Sequence, residues 1–181
     1  MSEELLVLKD IASKLNGANF SYMLSGSVAM SYYAQPRNTR DIDIVVTINE
    51  KDVKRFVDLF AGNFYIEEES VLSEVKRHGM FNIIHNEYII KADFIVLGEG
   101  SYDKISFERR RNVDIEGVQI AIISPEDLIL RKLMWAMDCD SELQMRDVKN
   151  MRQMCDDLDE SYLDNWIGNL NLSDVYLKAL R

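Results

Sequence analysis

Aspartate is a poor strand former and is costly to bury. Yet Asp41 and Asp43 interrupt the apolar run DIDIVVT, and Asp93 interrupts KADFIVL. Side chains alternate faces along a strand, so Asp41 and Asp43 project together while Ile42 and Ile44 point into the core. Two carboxylates held that close repel one another unless a cation lies between them or one is protonated. A hard divalent ion with oxygen ligands, Mg²⁺ or Mn²⁺, suits them. A D-x-D pair also arises by chance in a chain with 31 acidic residues, so the pair alone leaves a metal site and an incidental surface pair both open. Its neighbours add to it. Gly26-Ser27 stands between an apolar stretch and a helical one, where free backbone N–H groups and the helix dipole favour phosphate. Glycine lets a phosphate approach the backbone, and Ser27 can add a hydroxyl. Three acids from two strands beside such a turn suit metal-plus-phosphate chemistry, in which ions activate an attacking oxygen and neutralise a leaving group.

The elements that must position these residues are legible as periodic patterns. Leu5, Leu8, Ile11, Ala12 and Leu15 predict a helix over 3–16 that ends at Asn16-Gly17. FSYMLSG predicts a short buried strand stopped by Ser25-Gly26, and SVAMSYYA a helix closed ahead of Pro36. DIDIVVT is β-branched and predicts a strand. NEKDVKRFVDLFAG predicts a helix with Asn49 as N-cap and Gly62 past its end. After a helical SEVKRHG, the runs MFNIIH and YIIKADFIVL form a hairpin joined at Asn86-Glu87, and RNVDI and VQIAIIS a second pair joined at Glu116-Gly117. SPEDLILRKLMWAM opens with Ser124 as cap, Pro125 at the first helical position and acids in the first turn. The pattern is a mixed α/β unit over 1–123, a β-sheet flanked by helices, followed by a small helical region of about three helices over 124–181.

The residues G-S, thirteen intervening positions, D-I-D-I, then a later A-D-F, resemble the nucleotidyltransferase (polymerase β-like) superfamily. Its signature is a hydrophobic residue, Gly-Gly or Gly-Ser, a spacer, a D-h-D/E pair and a third acid on a later strand. PRNTRDIDIVV resembles more narrowly the R-x-T-x-D-h-D-h form of small bacterial nucleotidyltransferases, including toxin components related to abortive-infection systems. SPEDLILRKLMWA with RDVKNM is similar to their downstream helices. The resemblance implies the nucleotidyltransferase fold and a transferase that moves a nucleoside monophosphate from a nucleoside triphosphate to an acceptor hydroxyl, releasing pyrophosphate. It implies that Asp41, Asp43 and Asp93 hold Mg²⁺ or Mn²⁺, with Asp93 also helping to activate the acceptor hydroxyl. Gly26 and Ser27 would hold the triphosphate tail; Arg37, Thr39 and Arg40 would flank it. Lys132 is either a triphosphate contact or a surface lysine whose stem lies along its helix.

Composition narrows the partners. The net charge of −10, from 31 acids against 21 bases, speaks against extended nucleic-acid binding. Arg109, Arg110 and Arg111 form the one obvious basic run, read as a solvated helix end. Two cysteines, Cys139 and Cys155, lack metal-like spacing and read as a reduced cytosolic pair. The acidic amphipathic N-terminus is not a signal peptide, and no apolar run approaches the roughly 18 residues that span a bilayer, so a cytoplasmic chain without a membrane partner is expected. His78 and His85 read as surface or hairpin residues, and Met134, Trp135 and Met137 as helix core. Tyr32 and Tyr33 read as packing residues, and Asp147 as a salt-bridge partner of Arg131 or Lys132. The acceptor stays open between a protein side chain, an RNA 3′ end and a small molecule such as an aminoglycoside. Two other readings compete: a non-catalytic nucleotide- or partner-binding module, such as one half of a toxin–antitoxin pair, and a glycosyltransferase D-x-D. The last is disfavoured because only forty residues precede Asp41 and the Gly-Ser turn would have no role.

Overall fold

The computed structural model describes residues 2–37, 39 and 41–181. Helix α1 (Glu3–Gly17) starts at Ser2, whose hydroxyl accepts the Leu5 N–H at 3.3 Å, and buries Val7, Leu8, Ile11, Ala12 and Leu15. Strand β1 (Tyr22–Ser25) runs directly into α2 (Gly26–Tyr33), and β2 (Asp41–Val46) returns antiparallel to β1. A single 3-10 turn over Glu50–Asp52, where the Asn49 side chain accepts the Lys51 N–H, precedes α3 (Val53–Phe60). Then follow β3 (Phe64–Tyr65), α4 (Glu68–Lys76), β4 (Met80–His85), β5 (Lys91–Val96), α5 (Ser101–Glu108), β6 (Arg111–Ile115) and β7 (Val118–Ile122).

The strands form one seven-stranded mixed sheet, ordered β3-β4-β5-β2-β1-β7-β6. At its centre β2 lies parallel to β5, with Ile42 opposite Ala92 and Ile44 opposite Phe94, so the apolar members of both strands share one face. Helix α3 covers that face. Phe56 sits 5.2 Å from Phe94, 5.3 Å from Phe20 and 5.6 Å from Phe81, ring centre to ring centre. Fully buried rings of this kind each contribute about 1.5–3 kcal/mol through burial. Strand alternation then leaves Asp41, Asp43, Lys91 and Asp93 together on the opposite face.

Four helices complete the described chain, α6 (Pro125–Cys139), α7 (Glu142–Met154), α8 (Glu160–Asn169) and α9 (Ser173–Leu180), one more than the periodicity suggests. Ser124, Ser141 and Asp159 cap the first three with side-chain oxygens. The helices are tied to α2 and the segment after it: the Tyr33 hydroxyl donates to the Ile123 carbonyl at 2.7 Å, and Asn150 Nδ2 to the Gln35 carbonyl at 3.1 Å. Among the described residues no helix is long and apolar enough to cross a membrane. Cys139 is exposed, Cys155 half-buried, and both are free thiols.

Several side chains depart from the sequence-based expectation. Trp135 and Met137 are half exposed, at 54% and 50%, and Met134 is only partly buried. Helix α6 turns Leu128, Ile129, Leu133 and Ala136 inward, and Lys132 shares that face, so the indole is left on the outer side. Tyr32 is exposed, while Tyr33 packs. His85 is a buried hairpin residue, its Nδ1 accepting the Glu87 and Tyr88 N–H groups at 3.3 Å. Arg109 is no solvated helix end: it grips Asp127 and Glu126 at 3.1 Å each.

Candidate active site

The register of the sheet assembles the site. On β2 and β5, Asp41 stands beside Lys91 and Asp43 beside Asp93, and on the other side Ser25 of β1 stands beside Asp43. The chain leaves β1 through Gly26 at φ +64°, a left-handed conformation that favours glycine. A Cβ at Gly26 would lie 1.8 Å from Asp43 Oδ2 and 2.8 Å from its Cβ, so the Asp43 carboxylate fills the space that only a glycine leaves. Helix α2 begins there with no side-chain cap, so its first N–H groups keep their donor capacity beside the carboxylates.

The carboxylates differ in environment. Asp41 is exposed, Asp43 partly buried and Asp93 buried. The Lys91 ammonium donates to Asp93 Oδ2 at 2.8 Å and lies 3.5 Å from Asp41 Oδ1. Hydrogen bonding to Asp93 raises the Lys91 pKa. Asp93 Oδ1 is buried with no hydrogen-bond partner among the described residues. Burial, and then the charges of Asp93 and Asp41, push the Asp43 carboxyl up to about 6, with Lys132 and Lys91 offsetting part of the shift. Among the described residues no three His, Cys, Asp or Glu side chains form a ready-made chelate. The sequence-predicted set of Asp41, Asp43 and Asp93 thus shares a face without forming a preformed cage, and an ammonium stands between two of its members. Among the described residues, the orphaned Asp93 oxygen and the raised Asp43 carboxyl mark a cluster short of positive charge, and its donors are the hard oxygens that divalent cations take.

A second network lies next to the first. The buried Ser27 hydroxyl accepts from Arg37 Nη2, and Arg37 Nε donates to both Asp147 carboxylate oxygens at 3.2 Å. Lys132, 3% exposed, donates to Asp147 Oδ2 at 2.6 Å and Gln144 Oε1 at 3.0 Å. It is therefore not a surface lysine. Burial lowers its pKa, against the opposing pull of Asp147. Asp147 pairs with Lys132 and Arg37, while Arg131 turns instead to Asp103 at 2.6 Å. Thr39 Oγ1 reaches the Asp41 carbonyl at 3.4 Å. Arg40 lies outside the described residues.

Gly26, Ser27, Asp41, Asp43 and Asp93 are thus brought to one end of the central strands, with Arg37 joined to them through Ser27 and Lys132 through Asp147 and Arg37. Sequence reasoning missed Lys91 and Gln144. Lys91 carried a usable signal, since it stands two residues before Asp93 on the same strand and must share its face. Beside α2, a cavity of about 1000 Å³ opens between Leu5, Leu24, Val28, Tyr32, Arg37 and Thr39.

The architecture is shared with solved nucleotidyltransferase structures. An antigenic nucleotidyltransferase-like protein from Paracoccidioides brasiliensis superposes with a TM-score of 0.61 at 17% identity, over 96% of this chain and 92% of its own. The antibiotic-resistance factor ANT(2'')-Ia gives a TM-score of 0.61 at 14% identity, over 97% and 95%. The lincosamide antibiotic adenylyltransferase LnuA, bound to lincomycin, gives 0.53 at 14%, over 85% and 98%. At such identities the likeness is one of fold. No curated protein sequence matches the chain. Residues 4–165 match the family described as nucleotidyl transferase of unknown function, DUF2204, and with that match over most of its length the chain belongs to this nucleotidyltransferase family.

Proposed function

We propose that the chain is a metal-dependent transferase that moves a nucleoside monophosphate from a nucleoside triphosphate to an acceptor hydroxyl. Residues 1–123 would supply the catalytic unit and 124–181 a helical extension. The observation that carries the reading is the pairing of Asp43 with Gly26: the chain uses a left-handed glycine to seat a carboxylate against the start of an uncapped helix. Asp41, Asp43 and Asp93 would hold Mg²⁺ or Mn²⁺, which supplies charge neutralisation along the triphosphate.

The protein groups divide the remaining work. The N–H groups at the start of α2 and the Ser27 hydroxyl receive the triphosphate tail. Arg37 and Lys132 add positive charge on its far side, and Asp147 positions both of them. The acceptor oxygen attacks the α-phosphorus as the bond to the bridging α–β oxygen breaks, and pyrophosphate leaves with that electron pair. Asp93 Oδ1, whose lone pairs have no other use among the described residues, accepts the proton of the acceptor hydroxyl. A small-molecule acceptor is supported by the likeness of fold to the lincosamide antibiotic adenylyltransferase. The cavity beside α2 is lined by Arg37 and Thr39 and by none of the three carboxylates, so it would take only a part of the acceptor remote from the reacting hydroxyl.

A second reading, a nucleotide- or partner-binding module on the same fold, is favoured by one observation: Lys91 already pairs with two of the three carboxylates. One experiment separates the two readings. Protein is incubated with each α-³²P nucleoside triphosphate, Mg²⁺ and cell extract. The transferase reading expects label in a protein, RNA or small-molecule fraction and its loss with Asp43→Ala. Nucleotide-dependent thermal stabilisation without any transfer would favour the binding module.

A further inference from the structure

Lys91 is unaccounted for by the reaction just described, although among the described residues it is the basic group paired with two of the three carboxylates. Its placement follows from the strand register. Asp41 stands opposite Lys91 and Asp43 opposite Asp93 on paired parallel strands, so all four side chains leave the same face in two ranks. The ammonium bridges these ranks diagonally, 2.8 Å from Asp93 Oδ2 and 3.5 Å from Asp41 Oδ1. We propose that Lys91 is a resident cation of the carboxylate face, holding Asp41 and Asp93 together in the resting protein and yielding its place when a divalent ion enters with the nucleotide. The proposal rests on the transferase reading and deepens it by saying when the site takes up its metal.

Lysine is suited to such a part. Its charge is a compact point on a flexible four-carbon stem, and it makes no rigid bidentate fork with a carboxylate. The Lys91 side chain is 40% exposed, so its head has a route into solvent, whereas the Asp93 side chain is 10% exposed and held in place by the sheet. An ammonium and a hard dication want the same oxygen, Asp93 Oδ2, and like charges a few ångströms apart repel strongly away from bulk water. A divalent ion arriving alone must therefore displace Lys91 without compensation. One arriving with a triphosphate brings phosphate oxygens that complete its own ligand set and give the displaced ammonium a new partner. The carboxylate face would then load metal together with nucleotide and stay closed to free divalent ions.

The test is Mn²⁺ binding followed by electron paramagnetic resonance, on wild type, Lys91→Met, Lys91→Arg and Asp43→Asn, each with and without inorganic triphosphate. Without triphosphate, Lys91→Met should bind Mn²⁺ more tightly than wild type by roughly three- to tenfold, and Lys91→Arg should stay as weak as wild type. With triphosphate the gap between wild type and Lys91→Met should narrow, and Asp43→Asn should bind poorly in both conditions. Lys91→Gln repeats the measurement should methionine disturb the fold. Unchanged or weaker Mn²⁺ binding by Lys91→Met, while Asp43→Asn still loses it, would overturn the resident-cation role and leave the transferase reading standing. Absence of Mn²⁺ binding from all the proteins, triphosphate included, would overturn the transferase reading and this proposal with it.

Discussion

Two clusters of acid in this molecule are built from the same residue types and end in opposite states. At the start of α6, Asp127 is fully buried and every lone pair is engaged. Ser124 Oγ donates at 2.7 Å and Arg109 Nε at 3.1 Å to one oxygen, while the Tyr162 and Tyr102 hydroxyls donate at 2.7 Å and 3.2 Å to the other. Its neighbour Glu126 takes Arg109 Nη2 and the Asp159 N–H, each at 3.1 Å. Arg109 also stacks over the Tyr162 ring at 3.7 Å. Buried charge is tolerable where it is paired and hydrogen-bonded in this way. On the β2–β5 face, two of the three carboxylates, Asp41 and Asp93, share the Lys91 ammonium, and among the described residues Asp43 has no ion pair and one buried Asp93 oxygen has no hydrogen-bond partner. Saturation marks structure; a deficit of partners marks a place for a ligand.

The comparison can be broken by removing one acid from each cluster. Asp127→Ala should cost about 3–5 kcal/mol of stability, because it removes one of the two carboxylates that hold Arg109 and leaves the Ser124, Tyr102 and Tyr162 hydroxyls without their shared acceptor; chemical denaturation measures it. Asp43→Ala should lower nucleotidyl transfer by about 10²–10³-fold while leaving the apo melting temperature unchanged or higher. If Asp43→Ala destabilised the fold as much as Asp127→Ala, the distinction between the clusters would collapse.

A pH series sharpens the contrast. The folded chain binds the Asp43 proton more tightly than the unfolded chain does, because burial and two like charges disfavour its ionised form. The stability attached to this group is therefore full below the ordinary aspartate range, near pH 4, and is lost as pH rises through about 6. Asp43→Asn should accordingly gain on the order of 1–2 kcal/mol over wild type at pH 7 and almost nothing at pH 4. An equal gain at both pH values would contradict the charge deficit. The smallest effect belongs to an acid of neither kind. Asp58 pairs with Lys54 at 3.5 Å with both side chains largely exposed, and Lys54→Ala should shift stability by no more than about 0.5 kcal/mol.

The legible parts of the molecule are those governed by short-range rules. The β6–β7 turn reads directly from Glu116-Gly117, which take φ of 49° and 82°. The α6 cap reads from Ser124-Pro125, and the facing of Asp41 and Asp43 from strand alternation. Strand β3, two residues long, and helix α5 escape notice because neither carries a sustained period. The same locality explains the misplaced side chains. A helical period cannot tell that Lys132 turns inward toward Asp147, fifteen residues on, because the reason lies on another helix. Trp135 lies outside the buried stripe of Leu128, Ile129, Lys132, Leu133 and Ala136 and is half exposed. The basic run at 109–111 misleads for a similar cause, since its acidic partners come from the next helix. In the candidate site the acids and the glycine are visible in advance; that Lys91 shares the face of Asp93 is also readable from strand alternation, but its reach to Asp41 depends on the β2–β5 pairing.

The contact between Gly26 and Asp43 has a consequence for how this chain can vary. Because the missing Cβ is occupied by a carboxylate from another strand, the two positions are epistatic. Gly26→Ala carries two separate costs, the left-handed backbone and the collision, and only the first belongs to position 26 itself. In an Asp43→Gly background the collision disappears, and the remaining cost should fall to about 1–2 kcal/mol. The intolerance that a substitution scan would assign to the glycine is in large part a property of the aspartate. A lineage free to lose that carboxylate would be free to lose the glycine soon afterwards.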